Sequence, residues 1–214
     1  WEDVANLYER HLKLVTDVPR RIELLQARGR VLTEQVGSPE RAMASYDAIL
    51  ELDSQHNGAL EALARLREAS GDATAALGAI ETLAGKAATP AAKAEQWVRA
   101  AKLLEGRGDR DGAIERYKAA LDADPKNVSA TAALRAAYSA RGDASSAVSL
   151  IEREIESADG KLAKARLLGE MAKICRERLK DDARAEAAAK KALELDNTAL
   201  DALVVLGDLA FEAA

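Results

Sequence analysis

Cysteine, histidine and aromatic residues are scarce in this chain of 214 residues, which has one cysteine, two histidines and 3% Phe, Trp and Tyr. A lone Cys175 excludes an internal disulfide framework and is compatible with a reducing, cytoplasmic setting. His11 and His56 lie on polar or turn positions without Cys, Asp or Glu at zinc-ligand spacing, so they read as surface histidines. No apolar run approaches the roughly 18 residues that a membrane span needs. No basic run stands out either, and the net charge is −5, which argues against nucleic acid as a partner. The chain starts at Trp1 with neither methionine nor signal peptide, so an upstream segment is expected to have been cut away.

What is present is alanine and charge. With 48% hydrophobic and 31% charged residues the composition is globular, and the small side chains predict closely packed helices and an all-α fold. Glycines recur at Gly37, Gly71, Gly108 and Gly142, in steps of 34, 37 and 34. Asp72, Asp109 and Asp143 follow three of them, and Ala42, Ala76, Ala113 and Ala147 stand five residues after each. Each glycine suits the left-handed position that ends a helix, and the following Asp, or Ser38, caps the next helix. Pro39 fits the first helical position. Around the turns, apolar residues recur at three and four: Trp97, Ala100, Ala101 and Leu104, then Ala113, Ile114, Tyr117, Ala120 and Leu121. The unit is helix, tight turn, helix. Twelve helices are predicted, near 2–14, 19–36, 39–52, 56–69, 73–85, 90–106, 110–122, 127–140, 144–158, 161–178, 182–195 and 198 to the end.

Trp97, Ala100, Ala101, Leu104, Ala113, Tyr117 and Pro125 resemble the consensus of the tetratricopeptide repeat, best matched at 94–127. Looser units carry Leu60, Leu63, Ala64, Ala76 and Ile80, or Leu134, Tyr138, Ala147 and Ile151. Residues 22–56 and 165–199 fit once one residue is added in the turn. The resemblance implies a right-handed superhelical α-solenoid of stacked helix-turn-helix repeats, a single domain over 1–214 and a bacterial-type array. Its repeats are 22–56, 57–93, 94–127, 128–164 and 165–199, with partial ones at 1–21 and 200–214. A longer period of about 71 residues overlies these, since Pro19 and Pro90, Tyr46 and Tyr117, and Leu50 and Leu121 are each 71 apart. Tyr8 to Leu25, Ile80 to Trp97 and Ile151 to Leu168 each span 17 residues. Every second junction is therefore predicted to have lengthened helices.

Catalytic and metal-binding patterns are not met. The glycine of Asp109–Gly112 arrives too early for a calcium loop, and the surrounding GRGDRDG lacks the ending of a phosphate loop. Cys175 falls at the slot that Leu104 fills, where a thiol acts as a small hydrophobe. No enzyme, cofactor or metal is expected. Two Arg-Gly-Asp triplets, starting at Arg107 and Arg141, are 34 residues apart. The turn requires their Gly and Asp, and Arg is favourable at a helix end, so they read as turn chemistry rather than adhesion ligands.

The resemblance also implies a groove lined by first helices. Its ninth positions are Arg30, Arg65, Lys102, Ala136, Lys173 and Asp208, and Val98 and Arg176 stand at the fifth and twelfth. Arg30, Arg65, Val98, Lys102, Lys173 and Arg176 are thus the candidate partner-binding residues, suited to an acidic peptide, tail or helix. The competing reading is a solvated face on which Glu61 and Arg65 pair with each other. The clamp that holds chaperone tails in some family members needs Asn and Lys. Here Gln26 and Arg30, Glu61 and Arg65, and Val98 and Lys102 stand in those places. The function expected is a non-enzymatic protein-interaction scaffold. The alternatives are a self-assembling segment that stacks end to end and a sensory arm of a larger protein.

Overall fold

The computed structural model describes residues 1–212, and all regular structure among them is helical. In chain order the helices are α1 (Glu2–Leu12), α2 (Val18–Val31), α3 (Pro39–Leu52), α4 (Asn57–Ser70), α5 (Ala73–Lys86), α6 (Pro90–Gly106), α7 (Arg110–Ala123), α8 (Val128–Arg141), α9 (Ala144–Ser157), α10 (Lys161–Ile174), α11 (Asp182–Leu195) and α12 (Leu200–Glu212). The last predicted helix and the partial repeat 200–214 end on residues 213 and 214, outside the described residues. Within α7, between Ala113 and Ile114, the chain divides into two compact units.

Side-chain caps start most of the helices. The carboxylates of Asp17, Asp72, Asp109, Asp143 and Asp181 each accept the backbone N–H three residues on, at 2.9 to 3.1 Å. Thr89 and Asn127 do the same for α6 and α8. Each such cap contributes roughly 1 kcal/mol. Ser38 departs from the expectation, because its side chain makes no cap bond. Its backbone N–H instead closes the preceding turn on the Leu32 carbonyl at 2.9 Å.

That closure is where the extra residue goes. The Asp109 and Asp143 N–H groups reach back five residues, to Leu104 and Tyr138, whereas Ser38 and Asp181 reach back six, to Leu32 and Cys175. The added residue is taken up in π-helical turns at Leu32–Val36 and Cys175–Leu179, which continue α2 and α10. A π turn holds one residue more per hydrogen-bonded ring, so Leu32 and Cys175 stay on the buried stripe while the chain still reaches its turn on time. Both are fully buried. Gly37, Gly71, Gly108 and Gly142 all have positive φ. At the fifth turn Lys180 takes φ 57 in place of a glycine.

In the first unit each helix from α1 to α6 packs on the next. One core joins Ala5, Leu25, Leu32, Tyr46, Ile49 and Leu63, and another joins Leu60, Ala64, Ile80 and Ala100. The Tyr46 ring lies over Gly29 so closely that a Cβ there would come within 2.7 Å of it. Burial pushes the Tyr46 phenol above its usual pKa, and Arg30 partly offsets this. In the second unit α8 packs on α9, α9 on α10, α10 on both α11 and α12, and α11 on α12. The core there gathers Val148, Ile151, Leu168, Cys175, Ala189 and Val205. Burial raises the pKa of the Cys175 thiol, which keeps it protonated and inert. Ala42, Ala76 and Ala113 are buried, but Ala147 is only half-buried.

Candidate first-helix binding faces

In the first unit the faces in question belong to α2, α4 and α6. Val98, Leu103 and Lys102 of α6 and Glu68 of α4 line an opening of about 450 Å³ together with Glu95 and Arg99. Every lining residue comes from a first helix. Val98, 7% exposed, forms part of its floor. Lys102 is exposed and has no ion-pair or hydrogen-bond partner among the described residues, and the same is true of Arg30. Arg65 differs, since its Nε donates to Glu61 Oε1 at 2.8 Å, the pairing weighed as the competing reading.

Glu61 has a second and more buried partner. Arg99 reaches from α6 to α4, donating through Nη1 to both Glu61 oxygens at 3.1 Å and through Nε and Nη2 to Glu68 at 2.8 Å. This fork-on-carboxylate geometry is the strong form of an ion pair. The hydrogen bonds that Arg99 donates to Glu68 come first among the causes that raise its pKa. The face is therefore of mixed charge, with Arg65 offset by Glu61 and Lys102 left unspent.

The second unit presents α8, α10 and α12. Lys173 is exposed, has no partner among the described residues, and lines an opening of about 520 Å³ with Arg135, Arg166, Leu167, Glu170 and Asp201. Again only first helices contribute. Arg135 joins α8 to α9 through Glu154 at 3.0 and 2.8 Å, and to α10 through Glu170 at 2.6 and 2.7 Å. Those carboxylates raise its pKa above the usual arginine value. Arg176, 14% exposed, turns to α12, donating to Glu212 at 2.7 Å and lying 4.0 Å from Asp208.

The structure thus places Val98 beside Lys102 and pairs Arg65 and Arg176 with carboxylates. Arg99, Glu68, Arg135 and Glu170 were not singled out in the sequence. Their signal is opposite charge about one repeat apart, at separations of 31, 35 and 38 residues. Among the described residues no group of three His, Cys, Asp or Glu is set to hold a metal ion. No helix among them is long and apolar enough to cross a membrane.

Comparison with known proteins agrees with this geometry. Residues 104–168 match the family described as Tetratricopeptide repeat. Protein CTR9 homolog of Arabidopsis thaliana is 32% identical over 118 residues, which is 55% of this chain, and the chain spans about 10% of that relative's length. A crystal structure of MamA is similar with a TM-score of 0.50 at 22% identity, covering 71% of this chain and 85% of that one. A second MamA structure also gives 0.50, at 18% identity, and covers 84% and 93%. At such identities the likeness concerns the fold. Helix-turn-helix units and left-handed turns with caps behind them thus give an all-α fold of helix-turn-helix repeats, of which residues 104–168 match the tetratricopeptide repeat family.

Proposed function

We propose that the chain is a non-enzymatic protein-interaction scaffold that binds a peptide, tail or helix on its first-helix faces. The observation that carries this reading is that the openings beside Lys102 and Lys173 are lined wholly by first helices. Helix pairs that stack side by side leave such a surface free while their other faces are buried. Arg30, Arg65, Val98, Lys102, Lys173 and Arg176 form the binding set. Lys102, Lys173 and Arg30 supply unspent charge, Val98 supplies apolar floor, and Arg65 and Arg176 are positioned by their carboxylate partners. Unspent cations suit an acidic partner, in a salt-dependent way.

The repeats in this proposal run 22–56, 57–93, 94–127, 128–164 and 165–199, grouped in a bacterial-type super-repeat of about 71 residues. Supporting the grouping, α6 has 17 residues and α2 and α10 continue into π turns, while α4 and α8 have 14. The lone, buried cysteine favours a reducing cytoplasm.

Fluorescence anisotropy with equal-length acidic, neutral and basic peptides tests the proposal. Acidic peptides should bind most tightly, and Lys102→Glu with Lys173→Glu should abolish that preference at unchanged helicity. Basic peptides binding as well as acidic ones would refute it. A second reading, association between copies, is favoured by the exposed Trp1 and Leu7 on and beside α1 and by Leu200 and Phe211 on α12. Sedimentation over a concentration series decides between the two.

A further inference from the structure

Bordered by the Arg135–Glu170 pair that also lines the opening beside Lys173, the second unit has a cavity of about 250 Å³ where the α8–α9 turn meets the end of α10. Its apolar wall is Tyr138, Ala144, Ala147, Ile151 and Ile174. Arg135, Asp143, Glu170 and Arg178 supply the charge around it.

Three of those four charges are already spent. Asp143 caps α9 through the Ser146 N–H at 3.0 Å, and both Glu170 oxygens accept from Arg135, whose remaining donors hold Glu154. Arg178 is exposed and has no hydrogen-bond or ion-pair partner among the described residues. What remains is an apolar hollow with one unspent guanidinium at its rim.

Seventy-one residues earlier, the corresponding place in the first unit is shut. Ala76 is fully buried where Ala147 is half-buried. Arg107, in the place of Arg178, donates to Thr74 Oγ1 at 2.9 Å. Arg178 instead lies in the π turn, whose wider ring changes the angular position of the residues after Cys175. The hollow therefore arises where the added residue is absorbed.

We propose that this cavity is a binding site of its own, taking one branched or aromatic side chain of a peptide whose neighbouring carboxylate pairs with Arg178. Its volume is below the roughly 300–1,000 Å³ of pockets that enclose a whole drug-sized ligand, which suits a single inserted side chain. Buried apolar anchors within a polar rim are the usual arrangement at such contacts. The charge balance selects the partner, because a basic neighbour would meet Arg178 and gain nothing from Asp143 or Glu170.

The test uses the full ¹⁵N-labelled chain and an acetylated, amidated pentapeptide with leucine between two glutamates and glycine at each end. Saturable amide shifts are expected at Gly142, Asp143 and Ala144 and in Ile174–Arg178. Ala147→Leu should fill the hollow and abolish them. Arg178→Gln, an exposed change that leaves the core intact, should weaken binding about 2- to 5-fold, as for a rim ion pair. Amide shifts around Lys102 in the first unit report the first-helix face on their own, which separates failure here from failure of the first-helix proposal. No saturable shift at those amides with millimolar peptide would overturn the site, as would undiminished binding by a folded Ala147→Leu chain. Equal binding of a peptide with lysines in place of the glutamates would overturn the role of Arg178. Saturable binding of free isovalerate without binding of the peptide would overturn the peptide as ligand.

Discussion

At position 99 of the first unit stands an arginine and at position 170 of the second a glutamate, yet each ties its first helix to the one before. Arg99 of α6 grips Glu61 and Glu68 of α4, and Glu170 of α10 is gripped by Arg135 of α8. The polarity is reversed while the bridge is kept. Neighbouring first helices approach closely enough for one guanidinium to span them, and a fork on a carboxylate satisfies that distance from either side. The comparison also shows where the units part. The hollow beside Ala147 has a closed counterpart at Ala76, and the last turn in the second unit is held left-handed by Lys180 rather than glycine.

The largest expected difference concerns the two alanines. Ala76→Leu should overpack a closed junction and cost roughly 1–3 kcal/mol. Ala147→Leu should stay within about 0.5 kcal/mol of the parent chain, since space stands ready for it. Chemical denaturation of both variants checks this, and equal losses would break the contrast between open and closed junctions.

Next come the bridges. Arg99→Gln and Arg135→Gln each strand half-buried carboxylates, at a cost of about 1–2 kcal/mol, between the values for exposed pairs and for charged hydrogen bonds. Similar losses from the two, both reduced by added salt, would sharpen the equivalence of the reversed pairs. A neutral Arg135→Gln would show that the second unit does not depend on its bridge.

A gain is expected at the fifth turn. Lys180→Gly should stabilise by about 0.5–1 kcal/mol, because it relieves a side chain at positive φ. Gly37→Ala at the first turn should destabilise by at least about 1 kcal/mol, for the same reason in reverse. Thermal melts of this pair test whether both turns need the left-handed residue.

The smallest effect is one of pH. Bonds from the Ser146 side chain and N–H hold the Asp143 carboxyl below its ordinary 3.8. A lowered folded pKa gives a contribution that is complete above the unfolded value and is lost as pH falls through the folded one. Asp143→Asn should therefore flatten the acid limb of the melting curve below pH 3.8 and change nothing at neutral pH. An unchanged acid limb would show that this cap does not contribute to acid stability.

Much of the fold was legible because it is local. The glycine spacing, the Asp behind each turn and the three-and-four apolar rhythm located the helices to within a few residues, since caps and periodicity act over one or two turns. Spacing alone shows that residues 22–56 and 165–199 carry one residue too many, and Cys175 is buried as its slot on the stripe predicts. The form of the accommodation was not legible. A loop residue and a π turn lengthen the chain equally, and only burial of Leu32 and Cys175 on both sides selects the second.

For the candidate site the division is sharper. Exposure of Lys102 and Lys173 followed from their phase on first helices, and the pairing of Glu61 with Arg65 followed from spacing along one helix. The Arg99 and Arg135 forks did not, because they join residues from different helices, and their partners depend on how closely two backbones approach. Sequence by itself determined the helices, the turns between them and the stripe that each buries, all products of interactions within a few residues. Tertiary structure alone decided which charges cancel, which remain for a partner, and that the junction at Ala147 stays open while the one at Ala76 closes, because these depend on distances between helices that no single helix encodes.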